Sequence, residues 1–314
     1  MGLGIQKSFP AGKIKLKRIY ESRDIGTFNG AVITWPKVKE VYGNLSFPKL
    51  PEDRTYTYGS LVSSVDGRIS FSESSDSTQI AKRNVYDPDG SLCDLWVLNM
   101  LRSVSDAVLM GSKTIGQVPG LTGRVLDREL LDERKKSGKP LIPLHVIVTR
   151  NGEHLPFQHR IIVSKDIPAL IVTSPNGVHK IKGRLAVEYK DLGLYRNLDE
   201  ISAMKCRRFI STLGIIAVGT GDTININLLL RILNKIGINR LLIESPSFID
   251  SLMQESLLDE LFLNTSGVFI GGKAPVIGES FIGFSKDWHP HLQILTIHSH
   301  SDYFVYSRYR MHYS

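Results

Sequence analysis

The chain has 314 residues and a formal net charge of +8, which is enough length for one large α/β domain or two smaller ones. Hydrophobic residues make up 42% and charged residues 22%, a composition that excludes a wholly disordered chain. No apolar run approaches the roughly 20 residues that cross a bilayer, and the first residues show no signal-peptide core. We therefore expect a soluble, cytoplasmic protein with no membrane partner.

The positive charge is scattered along the chain. Its local runs, 13–18 and 205–208, belong to no aromatic-interleaved stripe or recognition helix, so we expect an anionic small molecule as partner and no nucleic acid. Two cysteines, Cys93 and Cys206, exclude a disulfide framework and a thiolate metal site. The histidines near the C-terminus lack helix-borne metal spacing, so no metal is predicted.

In chain order, residues 1–55 are predicted to form an N-terminal extension of short strands and turns, and residues 56–314 one α/β domain. Hydrophobic patterning predicts helices near 92–102, 225–236 and 247–255, and strands at 56–64, 106–111, 144–148, 169–173, 215–218, 240–243 and 260–263. This alternation predicts βαβ units and a mainly parallel sheet. Residues 292–298 and 303–309 predict a closing antiparallel hairpin.

Ligands of open α/β sheets bind beyond the carboxyl ends of strands, where polar residues follow several predicted strands. After the first strand comes Ser64–Arg68, in which Asp66 could hydrogen-bond a ligand or hold a turn; alone, the pattern favours the turn. After the strand 106–111 come Ser112 and Thr114, which suit a phosphate at a helix start or a simple helix cap.

Two later strands end in similar loops. Thr149 and Arg150 pair a hydroxyl with a guanidinium, which matches a phosphate, although the following Asn-Gly also fits a plain turn with a solvated arginine. Glu244 ends a strand and leads through Ser245 to a helix start with proline near its first position. The sequence G-T-G-D-T-I at 219–224 lacks the third glycine of a dinucleotide fingerprint, so a turn capped by Asp222 or Thr223 is predicted.

Taken in order, these loops resemble the C-terminal reductase domain of the riboflavin biosynthesis protein RibD. The matching segments are S-V-D-G-R at 64–68, L-R-S-V-S-D-A at 101–107, M-G-S-K-T at 110–114, P-G-L-T-G-R at 119–124, L-L-I-E-S-P-S-F at 241–248, L-D-E-L at 258–261 and G-G at 271–272. The segments at 42–48 and 307–310 look like the stand-alone pyrimidine reductases. The zinc-deaminase signature of the bifunctional protein is absent from the sequence.

The resemblance implies a dihydrofolate reductase-like, three-layer α/β/α fold and a homodimer. It implies hydride transfer from NADPH to the ribosylamino group of a phosphorylated pyrimidine. As catalytic residues it implies Asp66 and Glu244. The substrate-binding residues it implies are Ser64, Thr122 and Arg124, and the cofactor-binding residues are Gly111, Ser112, Thr114, Thr149, Arg150, Ser245, Ser247, Gly271 and Gly272.

The chain also departs from the family pattern. Residues 115–118 hold no acidic residue where the family has one, and Ser245-Pro246 replaces a Gly-Gly pair, which removes one amide donor. Residues 178–213 look like an insertion. Two alternative functions therefore stay open: reduction of another pterin-like heterocycle, and nucleotide binding without catalysis.

Overall fold

The computed structural model describes residues 6–204, 212–278 and 283–313. The strands within them are β1 Lys17–Glu21, β2 Val32–Ile33, β3 Leu45–Ser46, β4 Tyr56–Ser64, β5 Ala107–Gly111, β6 Leu144–Val148, β7 Ala169–Thr173, β8 Lys190–Tyr195, β9 Gly214–Thr220, β10 Thr223–Ile224, β11 Arg240–Ile243, β12 Glu260–Ser266, β13 Pro290–Ser301 and β14 Phe304–Tyr313. All but β2 and β3 join one twelve-stranded sheet, ordered β1-β13-β14-β12-β4-β11-β5-β6-β7-β9-β10, with β8 also paired to β9.

Helices cover both faces of this sheet. They are α1 Ala11–Ile14, α2 Pro36–Val41, α3 Thr78–Lys82, α4 Gly90–Val104, α5 Ser112–Gln117, α6 Arg128–Lys136, α7 Arg160–Val163, α8 Gly177–Lys182, α9 Leu198–Ser202, α10 Ile226–Lys235 and α11 Pro246–Gln254, with one 3-10 turn at Arg23–Thr27. No helix in the described ranges is both long and apolar enough to span a membrane.

The central strands β5, β6 and β7 are parallel and are buried on both faces. β5, β6 and β7 read as nearly continuous apolar runs, as expected where helices cover a sheet on both sides. One core cluster includes Trp96 and Met100 of α4. The other includes Leu229 of α10 and Ile249 of α11. The predicted three-layer α/β/α architecture is confirmed.

The segment before Tyr56 packs against this sheet. Strand β1 pairs antiparallel with β13, and Phe47 is fully buried beside Tyr58. The backbone carbonyl of Ser46 accepts a hydrogen bond from Arg308, whose guanidinium also pairs with Glu260 in the interior. The N-terminal segment therefore contributes both a strand and core side chains.

The predicted strands 56–64, 144–148, 169–173 and 240–243 are confirmed at those bounds. The predicted C-terminal hairpin is confirmed as β13 and β14, both longer than expected. The G-T-G-D-T-I segment forms the predicted turn, between β9 and β10. A cap of this turn by Asp222 or Thr223 stays a prediction, and the helix that follows, α10, is capped by Asn225, whose side chain accepts a hydrogen bond from the Leu228 amide.

The predicted insertion at 178–213 forms most of α8, then β8, which pairs parallel with β9, and α9. Residues 205–211, including Cys206, lie outside the described residues.

Candidate active site

A cavity of about 1060 Å³ opens at the carboxyl ends of β5 and β6. Its wall includes residues predicted to bind the cofactor: Gly111, Ser112, Thr149, Arg150 and Ser247. Because β5 lies between β6 and β11 in parallel register, the loops that follow these strands meet at one edge of the sheet. The fold thus brings together three loops that are distant in the sequence.

The turn after β5 touches the start of α11. A side chain at Gly111 would place its Cβ 3.0 Å from the Ser245 hydroxyl and 3.6 Å from that of Thr114, so glycine permits this close approach. Pro246 has no N–H, and within the described chain the Ser247 amide has no acceptor. The Ser247 amide therefore lies at the positive end of a helix and beside the cavity, where an anion can meet it.

The loop after β6 has a fixed backbone. The Thr149 hydroxyl accepts a hydrogen bond from the Gly152 amide at 3.1 Å. The Arg150 carbonyl accepts hydrogen bonds from the hydroxyls of Thr173 and Ser174 at 2.9 and 2.8 Å. None of the described residues pairs with the Arg150 guanidinium, which lines the cavity as an unneutralised cation.

The cavity wall carries charges of both signs. Besides Arg150 it includes the cation Lys113, and its carboxylates are Glu153, Asp222, Asp250 and Glu255. Burial raises the pKa of Glu255. The hairpin between β9 and β10, which sequence analysis treated only as a turn, supplies Asp222, Thr223 and Ile224 to this wall.

Glu244 is part of a buried ion pair. Its two carboxylate oxygens accept hydrogen bonds from Nε and Nη2 of Arg102 at 2.7 and 2.6 Å, and the two side chains are only 8% and 3% exposed. The third guanidinium nitrogen of Arg102 donates to the Arg124 carbonyl at 3.3 Å. Arg102 belongs to the L-R-S-V-S-D-A segment at 101–107, but a basic residue near the end of a helix does not reveal its partner in the sequence.

Thr122 and Arg124 lie in the loop between α5 and α6, outside the cavity wall. The pKa of Arg124 is lowered by burial and by the neighbouring charge of Arg160. Its Nε is buried without a hydrogen-bond partner among the described residues. This loop packs on the α4 face of the sheet, whereas Ile226 and Phe248 of the cavity belong to the opposite face.

Asp66 binds protein backbone and its neighbour Ser64. Its carboxylate accepts hydrogen bonds from the Ser64 hydroxyl at 2.6 Å, the Ile270 amide at 3.1 Å and the Gly271 amide at 2.7 Å. These hydrogen bonds, that from Ser64 first, hold the pKa of Asp66 well below its usual range. Arg68 also binds this segment by donating a hydrogen bond to the Gly272 carbonyl. We call this set of contacts around the Asp66 carboxylate the Asp66 clamp.

This clamp is not in the wall of the cavity. Gly271 and Gly272 both have left-handed backbone, with φ of 67° and 62°, and the Gly271 amide already binds Asp66. The structure therefore joins predicted catalytic and cofactor residues to each other. It does not bring Ser64, Asp66, Gly271 or Gly272 to the cavity with Arg150 and Ser247.

The fold and the site define the class of protein: a three-layer α/β/α protein with a cavity at the carboxyl edge of a mainly parallel sheet, where open α/β sheets bind their ligands. The chain belongs to the RibD C-terminal domain family, whose model matches residues 56–302. The family assignment confirms the resemblance and makes the chain an oxidoreductase that works with a nicotinamide cofactor.

Individual relatives agree with this assignment. The chain is 29% identical over 234 residues to the 2,5-diamino-6-ribosylamino-4(3H)-pyrimidinone 5′-phosphate reductase of Archaeoglobus fulgidus, covering 73% of this chain and 89% of the relative. A pyrimidine reductase-like protein from Corynebacterium diphtheriae shares the fold with a TM-score of 0.61 at 18% identity, covering 87% and 98% of the two chains. RibD of Acinetobacter baumannii has a TM-score of 0.53 at 16% identity, and the match covers 83% of this chain but 59% of RibD.

Proposed function

We propose that this chain catalyses the NADPH-dependent reduction of a pyrimidine ribosyl phosphate in riboflavin biosynthesis. The substrate is 5-amino-6-(5-phosphoribosylamino)uracil or its 2,5-diaminopyrimidinone analogue, and the product carries a ribitylamino group. The family match over residues 56–302 and the activity named for the Archaeoglobus fulgidus relative support this substrate class.

The observation that carries the proposal is a cavity that gathers the loops after β5 and β6 and the start of α11. Its volume of about 1060 Å³ is at the upper end of ordinary ligand pockets, which suits an extended dinucleotide. The unneutralised Arg150 guanidinium fits the 2′-phosphate of NADPH, and the free Ser247 amide fits the pyrophosphate. The residues present therefore fit the cofactor.

When bound, the cofactor supplies the hydride that reduces the substrate, and the protein binds and orients the reactants. Gly111, Ser112 and Thr114 lie at the nicotinamide end in this proposal. Thr122 and Arg124 approach from the α4 face to bind the phosphorylated substrate. Arg102 binds both carboxylate oxygens of Glu244. We therefore assign the ion-paired Glu244 carboxylate to orienting the pyrimidine. Glu244 could donate a proton only after its ion pair with Arg102 opens.

The assignment to the cytoplasm and to a homodimer extends this proposal. Both follow from the kind of biosynthetic enzyme proposed, and sedimentation of the purified protein tests the dimer directly. A single species at the mass of one chain, 35.1 kDa, at micromolar concentration would reject the dimer.

Two observations favour the alternatives. Residues 115–118 carry no acidic side chain, which leaves open reduction of another pterin-like heterocycle. Pro246 removes one amide donor, and the carboxylates of the cavity wall repel an anionic cofactor, which favours a nucleotide-binding protein without catalysis.

The deciding experiment titrates the purified protein with NADPH and with NADH, then measures turnover of a panel of pyrimidine ribosyl phosphates and pterins. We expect NADPH to bind much more tightly than NADH and the pyrimidines to be reduced. Turnover of pterins alone would establish the first alternative, and binding without turnover the second. If neither nucleotide binds, the reductase proposal is wrong.

A further inference from the structure

The loop that carries Thr122 and Arg124 has no regular secondary structure from 121 to 127, yet buried side chains fix its backbone. The side-chain oxygen Oδ1 of Asn99 accepts a hydrogen bond from the Leu126 amide at 2.5 Å. Nε2 of His145 accepts a hydrogen bond from the Gly123 amide at 2.8 Å. Together with the contact from Arg102 to the Arg124 carbonyl, these bonds attach the loop to α4 and β6.

Gly123 lies at the closest approach between the loop and the sheet. A Cβ at this position would be 3.1 Å from Cβ of Val108 and 3.2 Å from Nε2 of His145. Only a glycine lets the backbone come this near without displacing a neighbour. The contact between Gly123 and His145 therefore sets the distance between the loop and the sheet.

His145 is suited to accept this hydrogen bond because it is uncharged. Its side chain is fully buried in the centre of the sheet, and burial, with the charges of Arg102 and Arg124, lowers its pKa to about 3. A neutral imidazole that accepts on Nε2 carries its proton on Nδ1. At neutral pH, Nε2 is thus an acceptor placed under the loop.

We propose that His145 is a positioning residue for substrate recognition, which holds Gly123 so that the adjacent Thr122 and Arg124 reach the pyrimidine ribosyl phosphate. The inference rests on the proposed function. It assigns a role in substrate affinity to a side chain that lies on the α4 face of β6 and outside the wall of the cofactor cavity. Cofactor affinity is consequently independent of it.

His145 can be tested separately from the other two contacts. Removing Arg102 would also leave Glu244 unpaired, and Asn99 donates a second hydrogen bond, to the Leu95 carbonyl. At His145 the hydrogen-bond acceptor can be kept, moved or removed by substitution. The side-chain amide of glutamine reaches the position of Nε2, that of asparagine reaches only the position of Nδ1, and leucine has no acceptor.

The experiment compares His145→Gln, His145→Asn and His145→Leu for kcat, for KM of the pyrimidine ribosyl phosphate and for Kd of NADPH. We expect the Asn and Leu variants to raise the substrate KM by about tenfold, because the buried Gly123 amide loses its acceptor. The Gln variant should stay near the wild-type KM. The Kd of NADPH should be unchanged in all three.

Leu229→Ala is the matched control, since Leu229 is fully buried on the opposite face of the sheet. It should lower Tm without changing the substrate KM. If Leu229→Ala raises KM as much as His145→Leu does, or if the Gln and Leu variants behave alike, the positioning role is wrong and His145 serves stability alone.

Amide hydrogen exchange of the peptide spanning 120–127 gives a readout that needs no turnover. Exchange should be faster in the Leu and Asn variants and protected in the Gln variant. Unchanged exchange in the Leu variant would overturn the proposal whether or not the protein reduces a pyrimidine. A wild-type protein that binds no nicotinamide cofactor would instead reject the proposed function.

Discussion

Replacing Arg102 with methionine keeps much of the side-chain volume and removes the guanidinium that pairs with Glu244. The pair makes two short hydrogen bonds, and both side chains are at least nine-tenths buried. Leaving one charge of such a pair without its partner costs about 3–5 kcal/mol. Unfolding entropies of about 2 cal/mol/K per residue convert this to a fall in Tm of roughly 5–8 °C for a chain of this length.

Thermal unfolding of Arg102→Met, Glu244→Gln and the double variant measures the coupling between the two charges. Each single variant leaves one buried group poorly paired, so the double variant should lose less stability than the sum of the two. Lys136→Met is the control, because its ion pair with Glu133 is on the surface and its loss should leave Tm unchanged. Additive losses, or a Tm of Arg102→Met equal to that of Lys136→Met, would refute the argument.

Three further outcomes follow from the site and the core. Arg150→Ala should weaken NADPH binding by about 30-fold, or about 2 kcal/mol, and NADH binding by less than about twofold; equal losses would remove Arg150 from the 2′-phosphate. Gly111→Ala, whose methyl group meets the Ser245 hydroxyl at 3.0 Å, should weaken both nucleotides by about tenfold, and unchanged titrations would contradict the placement of the cofactor. Burial lowers the pKa of His145 to about 3 and of His298 to about 4, so the unfolded chain binds protons that the folded chain does not. The free energy of unfolding should therefore fall as pH drops below about 6.5, by on the order of 1 kcal/mol per pH unit for each ring. Urea unfolding between about pH 7.5 and pH 5 measures the slope, which His145→Gln should reduce; an unchanged slope would show that His145 titrates normally.

The parallel part of the fold could be predicted because its strands are buried on both faces. Runs such as Ala169–Thr173 and Arg240–Ile243 are bounded by polar or turn residues, so their ends appear in the sequence. The pairing of β1 with β13 could not be predicted. All residues of β1 are exposed, and the strand therefore carries no apolar alternation that points to a partner more than 250 positions away.

Only part of the candidate site could be predicted from the sequence. Strand ends and helix starts identify Ser112, Arg150 and Ser247 as residues that share one edge of the sheet. Nothing in the sequence identifies the acceptor of a backbone amide, so the role of His145 under Gly123 appears only in the structure. Asp66 likewise stands in a turn motif, while two of its hydrogen-bond donors, the Ile270 and Gly271 amides, lie some 200 residues away.

The position of β1 affects whether another strand can pair with the edge of the sheet. Within the described residues the sheet ends at β1 on one side, and on the other at β8 and the two-residue β10, which both pair with β9. Charged residues such as Lys17, Arg18 and Glu21 make β1 a poor template for another strand. At the other edge β10 offers few free backbone groups, and β8 carries Lys190 and Asp191 and has an irregular register. A chain beginning at Tyr56, where the family match starts, would instead present the twelve-residue β13 as an open edge and would be prone to aggregate.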